Sequence, residues 1–379
     1  MPQNKAFCSI CTLNYSAHAA TLNDSLKKVG HTEPHYVLII DQNKIYHNIL
    51  SKFKFTPIYL NQLKIPRINK FIKKYNAFEL SNILKPFFME WLLNNHPKIK
   101  YLIYLDTDVY VYSPLIEIFK IFDTKPTCSL IITPHILDVN DLYDTKDYSI
   151  ETKYFKAGLY NGGFYAIKND HKAREFLKWH QYELANYGYS AKNAHMFVDQ
   201  KILDLAPLIF DFVFLFKNPT YNVAYWRHPH RTLSLKHNQY YVNNQRIVFF
   251  HFSKLRLINQ GFQQNYLCQL PLKNHRLLLK MCQNYWQNIL KNNFDFFNQI
   301  PYGHTKNYQP PPLSLIDPIA YRDNIITDLS RQVNQTHSSP NHPPHSKIHH
   351  LIQHLNHLRL RAINLINKNT SLKSFIKRL

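Results

Sequence analysis

The most informative segment of this 379-residue chain is Tyr101-Leu102-Ile103-Tyr104-Leu105, followed by Asp106-Thr107-Asp108. Five consecutive apolar or aromatic residues that end at a polar turn are typical of a strand buried on both faces of a parallel sheet. Because alternate side chains of extended backbone share a face, Asp106 and Asp108 can converge on one divalent cation. Ligands of open α/β sheets bind beyond the carboxyl ends of the strands, where this pair would lie. An Asp-rich turn without a ligand is the alternative, since Asp is common in turns.

Strand and helix patterns alternate on both sides of this segment. Short apolar runs at residues 7–12 and 36–40 predict buried strands, and residues 17–26 between them have the spacing of a helix that Gly30 can end. The order strand, helix, strand predicts right-handed βαβ units. The predicted fold class is therefore α/β, with a mixed, mostly parallel sheet flanked by helices. Further strands are predicted at residues 129–133, 164–167 and 247–250, and further helices at residues 82–93, 172–187 and 201–205.

The sequence pattern changes past residue 265. Helical periodicity comes first, then Pro310-Pro311-Pro312, and from residue 331 onward the chain contains no Asp or Glu. We expect a main domain at residues 1–265, a helical and loop extension at 266–330, and a basic, His-rich tail with an amphipathic helix at 331–379. Packing of that helix on the main domain is favoured over peripheral docking on a membrane, because amphipathic helices mostly face a core.

Composition limits the class of protein. Lys and Arg number 46 against 24 Asp and Glu, a formal net charge of +22, which admits nucleotides, acidic glycans, nucleic acid or membrane surfaces as partners. No window approaches the roughly 20 apolar residues of a spanning helix, and no secretory leader precedes residue 7, so a cytoplasmic protein is expected. Five cysteines do not indicate a disulfide framework, and Cys8-x-x-Cys11 lacks the second pair of a zinc site.

Several motifs occur in one order along the chain. They are Cys11-Thr12-Leu13-Asn14-Tyr15, Leu84-Lys85-Pro86, Asp106-Thr107-Asp108, Tyr160-Asn161-Gly162-Gly163-Phe164, Phe197-Val198-Asp199-Gln200, Tyr221-Asn222-Val223-Ala224-Tyr225-Trp226 and His251-Phe252-Ser253. In this order they resemble the GT-A glycosyltransferases, in particular the retaining family-eight type that includes glycogenin and bacterial lipopolysaccharide galactosyltransferases. The resemblance covers about residues 7–262, and it implies a GT-A nucleotide-sugar-binding fold.

The resemblance implies a binding site for a nucleotide-sugar donor, expected to be a UDP-sugar. Tyr15 would stack on the base, and Lys85 would approach the donor phosphates or the sugar. A packing role for Tyr15 and a solvated surface position for Lys85 are the alternatives. The other donor-binding residues implied by the resemblance are Thr12, Asn14, Asp106, Thr107, Asp108, Asn161, Gly162, Gly163, Asn222, Trp226 and Lys254.

The resemblance also implies a metal site and catalytic residues. Asp106, Asp108 and His251 would hold Mn²⁺ or Mg²⁺, and an imidazole beside two carboxylates is a suitable donor set. Asp199 and Gln200 would act on the reacting sugar, although Asp199 as the N-cap of the following helix is the alternative. Lys254 stands where the family has glycine, so the phosphate contacts of that loop would have to differ.

The expected function is metal-dependent transfer of a sugar to a saccharide, glycan, lipid-linked saccharide or protein acceptor, with retention of configuration. The acceptor would enter near residues 161–164 and the C-terminal extension. A basic protein that binds nucleic acid or glycans without transferase activity is the alternative, and a domain that binds the donor without transferring it is another. No nucleic-acid partner is expected, because the acidic pair closes a central strand and the basic residues are spread along the chain.

Overall fold

The computed structural model describes residues 4–41, 44–138, 154–191, 195–224, 231–255, 257–258, 261–262, 272–305 and 308. Residues Met1–Asp317 form one compact unit, and Pro318–Leu379 form a second that lies outside these ranges. The predicted tail helix and Trp226 also lie outside the described residues. The domain boundaries at residues 265 and 330 stay predictions.

The helices and strands of the described residues have the following bounds. The helices are α1 (Ser16–Lys28), α2 (His47–Leu50), α3 (Ile68–Lys74), α4 (Ala77–Asn95), α5 (Ile116–Thr124), α6 (His171–Tyr187), α7 (Val198–Leu203), α8 (Ala206–Ile209), α9 (Leu272–Lys291) and α10 (Phe294–Phe297). The strands are β1 (Lys5–Cys11), β2 (His35–Ile39), β3 (Thr56–Tyr59), β4 (Tyr101–Leu105), β5 (Val109–Val111), β6 (Leu130–Pro134), β7 (Tyr160–Lys168), β8 (Ser190–Ala191), β9 (Met196–Phe197), β10 (Val213–Leu215), β11 (Val223–Ala224), β12 (Leu233–Lys236), β13 (Gln239–Val242), β14 (Gln245–Arg246), β15 (Phe249–His251), β16 (Leu257–Ile258) and β17 (Gly261–Phe262). Among the described helices, none combines the length and hydropathy needed to cross a membrane.

A seven-stranded sheet forms the centre of the fold, in the order β10-β6-β7-β4-β1-β2-β3. Strand β1 runs parallel to both β2 and β4, with Phe7 opposite His35 on one side and Ile103 on the other. Strand β7 alone runs antiparallel to its neighbours β4 and β6, while the β2–β3 and β6–β10 pairs are parallel. The predicted fold class, α/β with a mixed and mostly parallel sheet, is confirmed.

Helices cover both faces of this sheet. Leu102 and Tyr104 of β4 belong to the apolar cluster that contains residues of α4 and α6. Tyr101, Ile103 and Leu105 belong to the opposite cluster, which contains residues of α1 and α5. The unbroken apolar run of β4 is explained by this double burial, since each face of the strand meets a helical layer.

A smaller sheet, in the order β11-β15-β5, adjoins the point where β4 ends. Strand β5 begins at Val109, one residue after Asp108, and pairs antiparallel with β15, so that His251 lies opposite Val109. Helix α9 packs on this sheet through an apolar cluster that contains Met281, Tyr285 and Ile289. The small sheet therefore brings a histidine distant in sequence to the end of the central strand.

Local signals explain where two helices begin and end. Helix α1 ends as predicted, because Gly30 has a φ of 96° and its N–H donates to Lys27 O, while His31 N–H donates to Leu26 O. Helix α4 begins five residues earlier than predicted. Asn76 Oδ1 accepts from Glu79 N–H, and Glu79 Oε2 accepts from Asn76 N–H, which is a capping box.

Three sequence predictions about local position were wrong. The resemblance predicts Leu84-Lys85-Pro86 at a helix start, but Lys85 lies inside α4. It also predicts residues 161–163 at the entrance to a strand that begins at residue 164, but they lie inside β7, which begins at Tyr160. Helix α7 begins at Val198, so Asp199 is a helical residue and not the N-cap.

Candidate active site

Three side chains converge at the carboxyl end of β4. Asp106 directly follows the strand, Asp108 precedes β5, and His251 ends β15. One possible ligand atom from each lies within 4.8 Å of the others. His251 Nε2 is 3.0 Å from Asp108 Oδ1 and 3.8 Å from Asp106 Oδ2. The predicted grouping of these three residues is therefore present in the structure.

The donor atoms of this cluster suit a bound cation. Burial alone would raise the pKa of Asp108, but the attraction of His251 outweighs burial and the pKa is lowered. The side chains of Asp106 and Asp108 are 31% and 21% exposed, while that of His251 is 4% exposed. Two carboxylates and one imidazole suit a divalent cation such as Mn²⁺ or Mg²⁺. The donor set fits the implied metal, and the cluster is open on the carboxylate side.

Asn222 orients His251. It is fully buried with a φ of 52°, and its Nδ2 donates to Asn161 Oδ1 and Thr133 Oγ1, each at 2.9 Å. Because the amide nitrogen is used there, Asn222 Oδ1 accepts the Nδ1 proton of His251 at 3.3 Å. This assignment directs Nε2 of His251 toward Asp108 Oδ1. Because both of these atoms are acceptors, either a second proton on His251 or a cation must lie between them.

Lys85 is an internal cation and not the surface lysine of the alternative prediction. Its Nζ donates to Asp199 Oδ2 at 2.7 Å and to Gly162 O at 2.9 Å, and it lies 3.5 Å from Asp106 Oδ1. Burial alone would lower the pKa of Lys85, but the carboxylates of Asp106 and Asp199 outweigh burial and raise it. Lys85 therefore links Asp199 of α7 to the cluster of Asp106, Asp108 and His251, here called the metal-type cluster.

Asp199 and Gln200 lie on α7 beside strand β7. Asp199 is 1% exposed, and its Oδ1 has no hydrogen-bond partner among the described residues. Gln200 is half-buried, and its Oε1 accepts from Gly162 N–H at 3.3 Å. Val198 has a φ of 41°, which β-branched residues rarely adopt, so the backbone is strained where the chain enters this helix.

The two adjacent glycines of β7 allow site side chains to pack directly on the strand. A Cβ at Gly162 would lie 2.6 Å from Asp199 Oδ1, and a Cβ at Gly163 would lie 2.8 Å from His251 Nδ1. Gly163 O also accepts from Asp106 N–H at 2.9 Å. The glycines thus give space to the carboxylate and the imidazole of the site.

A part-exposed aromatic ring lies at the carboxyl end of the neighbouring strand β1. Tyr15 is 37% exposed and stacks on His18, with ring centroids 4.6 Å apart. Burial lowers the pKa of His18 to about 4, against the opposing charge of Asp108. Thr12 Oγ1 donates to Asn14 Oδ1 in the same turn. Residues 12–15 form a turn, here called the Tyr15 turn, and the charge of Asp108 acts on the pKa of His18 behind it.

Thr107 and Lys254 are the remaining predicted site residues that the structure describes. Thr107 is buried in the turn between the two aspartates. Lys254 is exposed after β15 with a φ of 61°, a conformation that glycine adopts readily and lysine rarely. The structure brings together Lys85, Asp106, Asp108, Asn161, Gly162, Gly163, Asp199, Gln200, Asn222 and His251.

Sequence reasoning missed three residues of this site. Tyr104 OH donates to Asp106 Oδ1 at 2.8 Å, Thr133 contacts Asn222, and His18 stacks on Tyr15. Tyr104 was detectable, because it lies two residues before Asp106 on the strand. Thr133 and His18 carry no local signal of this kind.

Comparisons with known proteins give only distant similarities. No protein-family model matches this chain. "Uncharacterized protein YfnF" of Bacillus subtilis (strain 168) is 24% identical over 258 residues, which are 67% of this chain and 82% of that protein. An identity at this level does not assign the chain to a family.

Solved structures with a similar chain course include three glycosyltransferases. The galactosyltransferase LgtC, in complex with donor and acceptor sugar analogs, is 12% identical, with 80% of this chain and 99% of that chain covered and a TM-score of 0.44. The glycosyltransferase GlyE of Streptococcus pneumoniae TIGR4 is 15% identical, with coverage of 79% and 66% and a TM-score of 0.41. Mouse xyloside xylosyltransferase 1 is 12% identical, with coverage of 66% and 98% and a TM-score of 0.40. With TM-scores below 0.5, these similarities assign no activity to this chain.

Proposed function

We propose that this protein is a metal-dependent glycosyltransferase that takes a sugar from a nucleotide sugar, specifically a UDP-sugar, and transfers it to a saccharide acceptor with retention. One observation carries the proposal. Asp106, Asp108 and His251 converge within 4.8 Å at the carboxyl edge of the central sheet, and the buried cation Lys85 lies 3.5 Å from Asp106. The resemblance of the motif order supplies the donor class and the stereochemical outcome.

The cluster would hold Mn²⁺ or Mg²⁺. Such a cation, when bound, neutralises charge on the diphosphate leaving group. Asn222 holds the His251 ring so that Nε2 faces the carboxylates, and Tyr104 fixes one oxygen of Asp106 through its hydroxyl. Because the side chains of Asn222 and Tyr104 are buried, they hold the metal-binding atoms of His251 and Asp106 in the same direction when no cation is bound.

The Tyr15 turn would hold the base of the donor. The Tyr15 ring is 37% exposed and stacks on His18, and we assign to it the contact with the base. Stacking of a base on an aromatic ring contributes about 1–3 kcal/mol. Thr12 and Asn14 lie in the same turn and would contact the base or the ribose.

The other end of the site would bind the transferred sugar. Gln200 is half-buried on α7 against β7, and we assign to it the contact with the sugar. Asp199 is too deeply buried for the same contact and would instead hold Lys85 in place. The acceptor would enter near residues 161–164, and a glycan or a lipid-linked saccharide fits the net charge of +22.

The experiment measures thermal stabilisation and sugar release with a panel of nucleotides and nucleotide sugars, with and without Mn²⁺. A ligand that binds only the folded state at 100 times its Kd stabilises the protein by about 2.7 kcal/mol. We expect a metal-dependent shift with one UDP-sugar, and its loss in Asp106→Asn and Asp108→Asn.

The matched control is Asp211→Asn, because the Asp211 carboxylate is 90% exposed and 4.0 Å from Lys172. It should behave like the unchanged protein. Full activity and metal dependence in both site variants would contradict the assignment. An absence of any nucleotide response would instead favour a binding protein without transferase activity.

A further inference from the structure

A cavity lies between α9, β5, the turn joining β12 to β13 and the C-terminal end of α1. Its volume is about 880 Å³. None of its described lining residues belongs to the metal-type cluster, to α7 or to the Tyr15 turn. The cavity adjoins the candidate active site where Tyr285 contacts His18, with ring centroids 6.5 Å apart. The proposed transferase function assigns no role to it.

The lining of this cavity is cationic. Four lysine or arginine side chains contribute to it, and the described lining residues include no Asp or Glu. Lys280 and Lys291 lie on α9 three turns apart on one face, and both are exposed. Lys28 approaches from the end of α1, and Arg246 from β14. A cavity with this charge attracts an anionic ligand.

Amide side chains occupy the surface between these cations. They are Asn238, Gln239, Asn284, Gln287 and Asn288. An amide offers both donors and an acceptor, which is the pattern that sugar hydroxyl groups require. Tyr285 also belongs to the lining, and its hydroxyl is buried without a hydrogen-bond partner among the described residues. An unpaired buried hydroxyl is costly unless a ligand or water satisfies it.

Three of the four tyrosines that line the cavity favour a saccharide over a nucleic acid. Tyr110, Tyr240 and Tyr285 are 8%, 7% and 1% exposed, so their ring faces are packed against the protein, and Tyr112 is half-buried. Stacking of nucleobases requires open ring faces on a binding surface. This cavity presents ring edges, amide groups and cations. These groups can bind the hydroxyls and the acidic substituents of a saccharide.

We propose that this cavity binds an anionic saccharide, such as a segment of a glycan that carries carboxylate groups. The cations would bind the acidic groups, and the amides would bind the hydroxyls. This site would hold glycan at a position separate from the reaction. Its occupancy requires no transferase activity, so it is testable even if the proposed function fails.

The test measures equilibrium binding of hexagalacturonate, an acidic oligosaccharide, to the full chain by calorimetry at several salt concentrations. Neutral maltohexaose and decauridylate are the comparison ligands. The variant is Lys280→Glu with Lys291→Glu, and the matched control is Lys120→Glu with Lys178→Glu, two exposed lysines on α5 and α6 outside the cavity. Because all four side chains are exposed, both variants should fold, which the melting temperature checks.

We expect the Kd for hexagalacturonate to rise with the salt concentration. We also expect the Kd of the cavity variant to be at least about tenfold higher than that of the control variant. Equal losses in both variants, equally tight binding of maltohexaose, or no binding of hexagalacturonate would each overturn the proposal. Tighter binding of decauridylate that the cavity variant loses would overturn it in favour of nucleic acid. The Mn²⁺-dependent response to a UDP-sugar, measured on the same variant, separately reports on the proposed function.

Discussion

The Lys85 ammonium lies 2.7 Å from Asp199 Oδ2, and each of these side chains is at most 2% exposed. The two residues are 114 positions apart, on α4 and α7. Asp106 lies 3.5 Å from the same ammonium. This buried pair therefore joins two helices to the end of the central strand, and its loss should affect both stability and the site.

Removing Lys85 should be strongly destabilising. In Lys85→Met the buried carboxylate of Asp199 loses its partner, and breaking a buried pair in this way costs about 3–5 kcal/mol. The free energy of unfolding in urea measures this cost. The control is Lys100→Met, because Lys100 and Asp123 form a pair at 3.5 Å whose side chains are 51% and 54% exposed. That pair should contribute at most about 1 kcal/mol.

The double variant Lys85→Met with Asp199→Leu should lose less stability than the two single variants lose in total, since neither charge is then left without its partner. Additive losses would show that the pair does not act as a unit.

Asn222→Ala should weaken metal binding although Asn222 is not a ligand. It removes the acceptor that fixes His251 Nδ1, and loss of such a supporting hydrogen bond typically lowers metal affinity about 10- to 100-fold. Titration with Mn²⁺, followed by electron paramagnetic resonance, measures the Kd. Asn298→Ala, at an exposed position after α10, serves as the control. An unchanged Kd in Asn222→Ala would mean that the ring is held by other contacts.

Gly162→Ala should reduce both stability and activity. The new methyl group would lie 2.6 Å from Asp199 Oδ1, so the buried carboxylate or the strand must move, at a cost of about 1–3 kcal/mol. Gly303→Ala is the matched change, because the nearest atom to its Cβ would be 3.4 Å away. Urea unfolding and sugar release measure the two effects. Equal stability of the two variants would show that the site tolerates the shift.

Acid should destabilise the protein through buried histidines. Burial lowers the pKa of His35 and His180 to about 3. In the unfolded chain histidine takes up its proton near pH 6.5, so between about pH 6.5 and pH 3 the unfolded state binds more protons. The contribution of these groups is complete above pH 6.5 and is lost as the pH falls toward 3.

The pH dependence of unfolding tests this contribution. Neither ring nitrogen of His180 has a hydrogen-bond partner among the described residues. His180→Phe should therefore reduce the stability difference between pH 7 and pH 5 by about 1–2 kcal/mol. His171→Phe, at an exposed position on α6, should leave that difference unchanged. A His180→Phe variant with the pH dependence of the unchanged protein would contradict the assignment.

Much of the fold followed from short-range pattern. The apolar run of β4 predicted a strand covered on both faces, and both faces do meet helices. Gly30 marked the end of α1, because a left-handed position after a helix favours glycine. Helix α4 begins five residues before its predicted start, because the capping box of Asn76 and Glu79 fixes its first turn.

The candidate site was predicted unevenly. The motif order singled out Asp106, Asp108, His251 and Lys85, but it could not say that Lys85 is buried against Asp199. It also placed Asp199 and Gln200 together on the sugar, whereas the structure buries Asp199 and leaves Gln200 half-buried. Neighbours in sequence point in different directions on a helix, and only packing determines which one is enclosed.

From a few consecutive residues it follows that a buried strand ends at two carboxylates, because strand burial is a local property. The alternation of an extended strand does not bring the two carboxylates together, because Asp106 O accepts from Val109 N–H and residues 107–108 form a turn. Only the tertiary structure decided that His251 faces Asp108 and that Lys85 neutralises Asp199. Those contacts depend on the pairing of β15 with β5 and on the packing of α4 against α7. Such long-range pairings are selected by the whole core, and no local stretch of sequence encodes them.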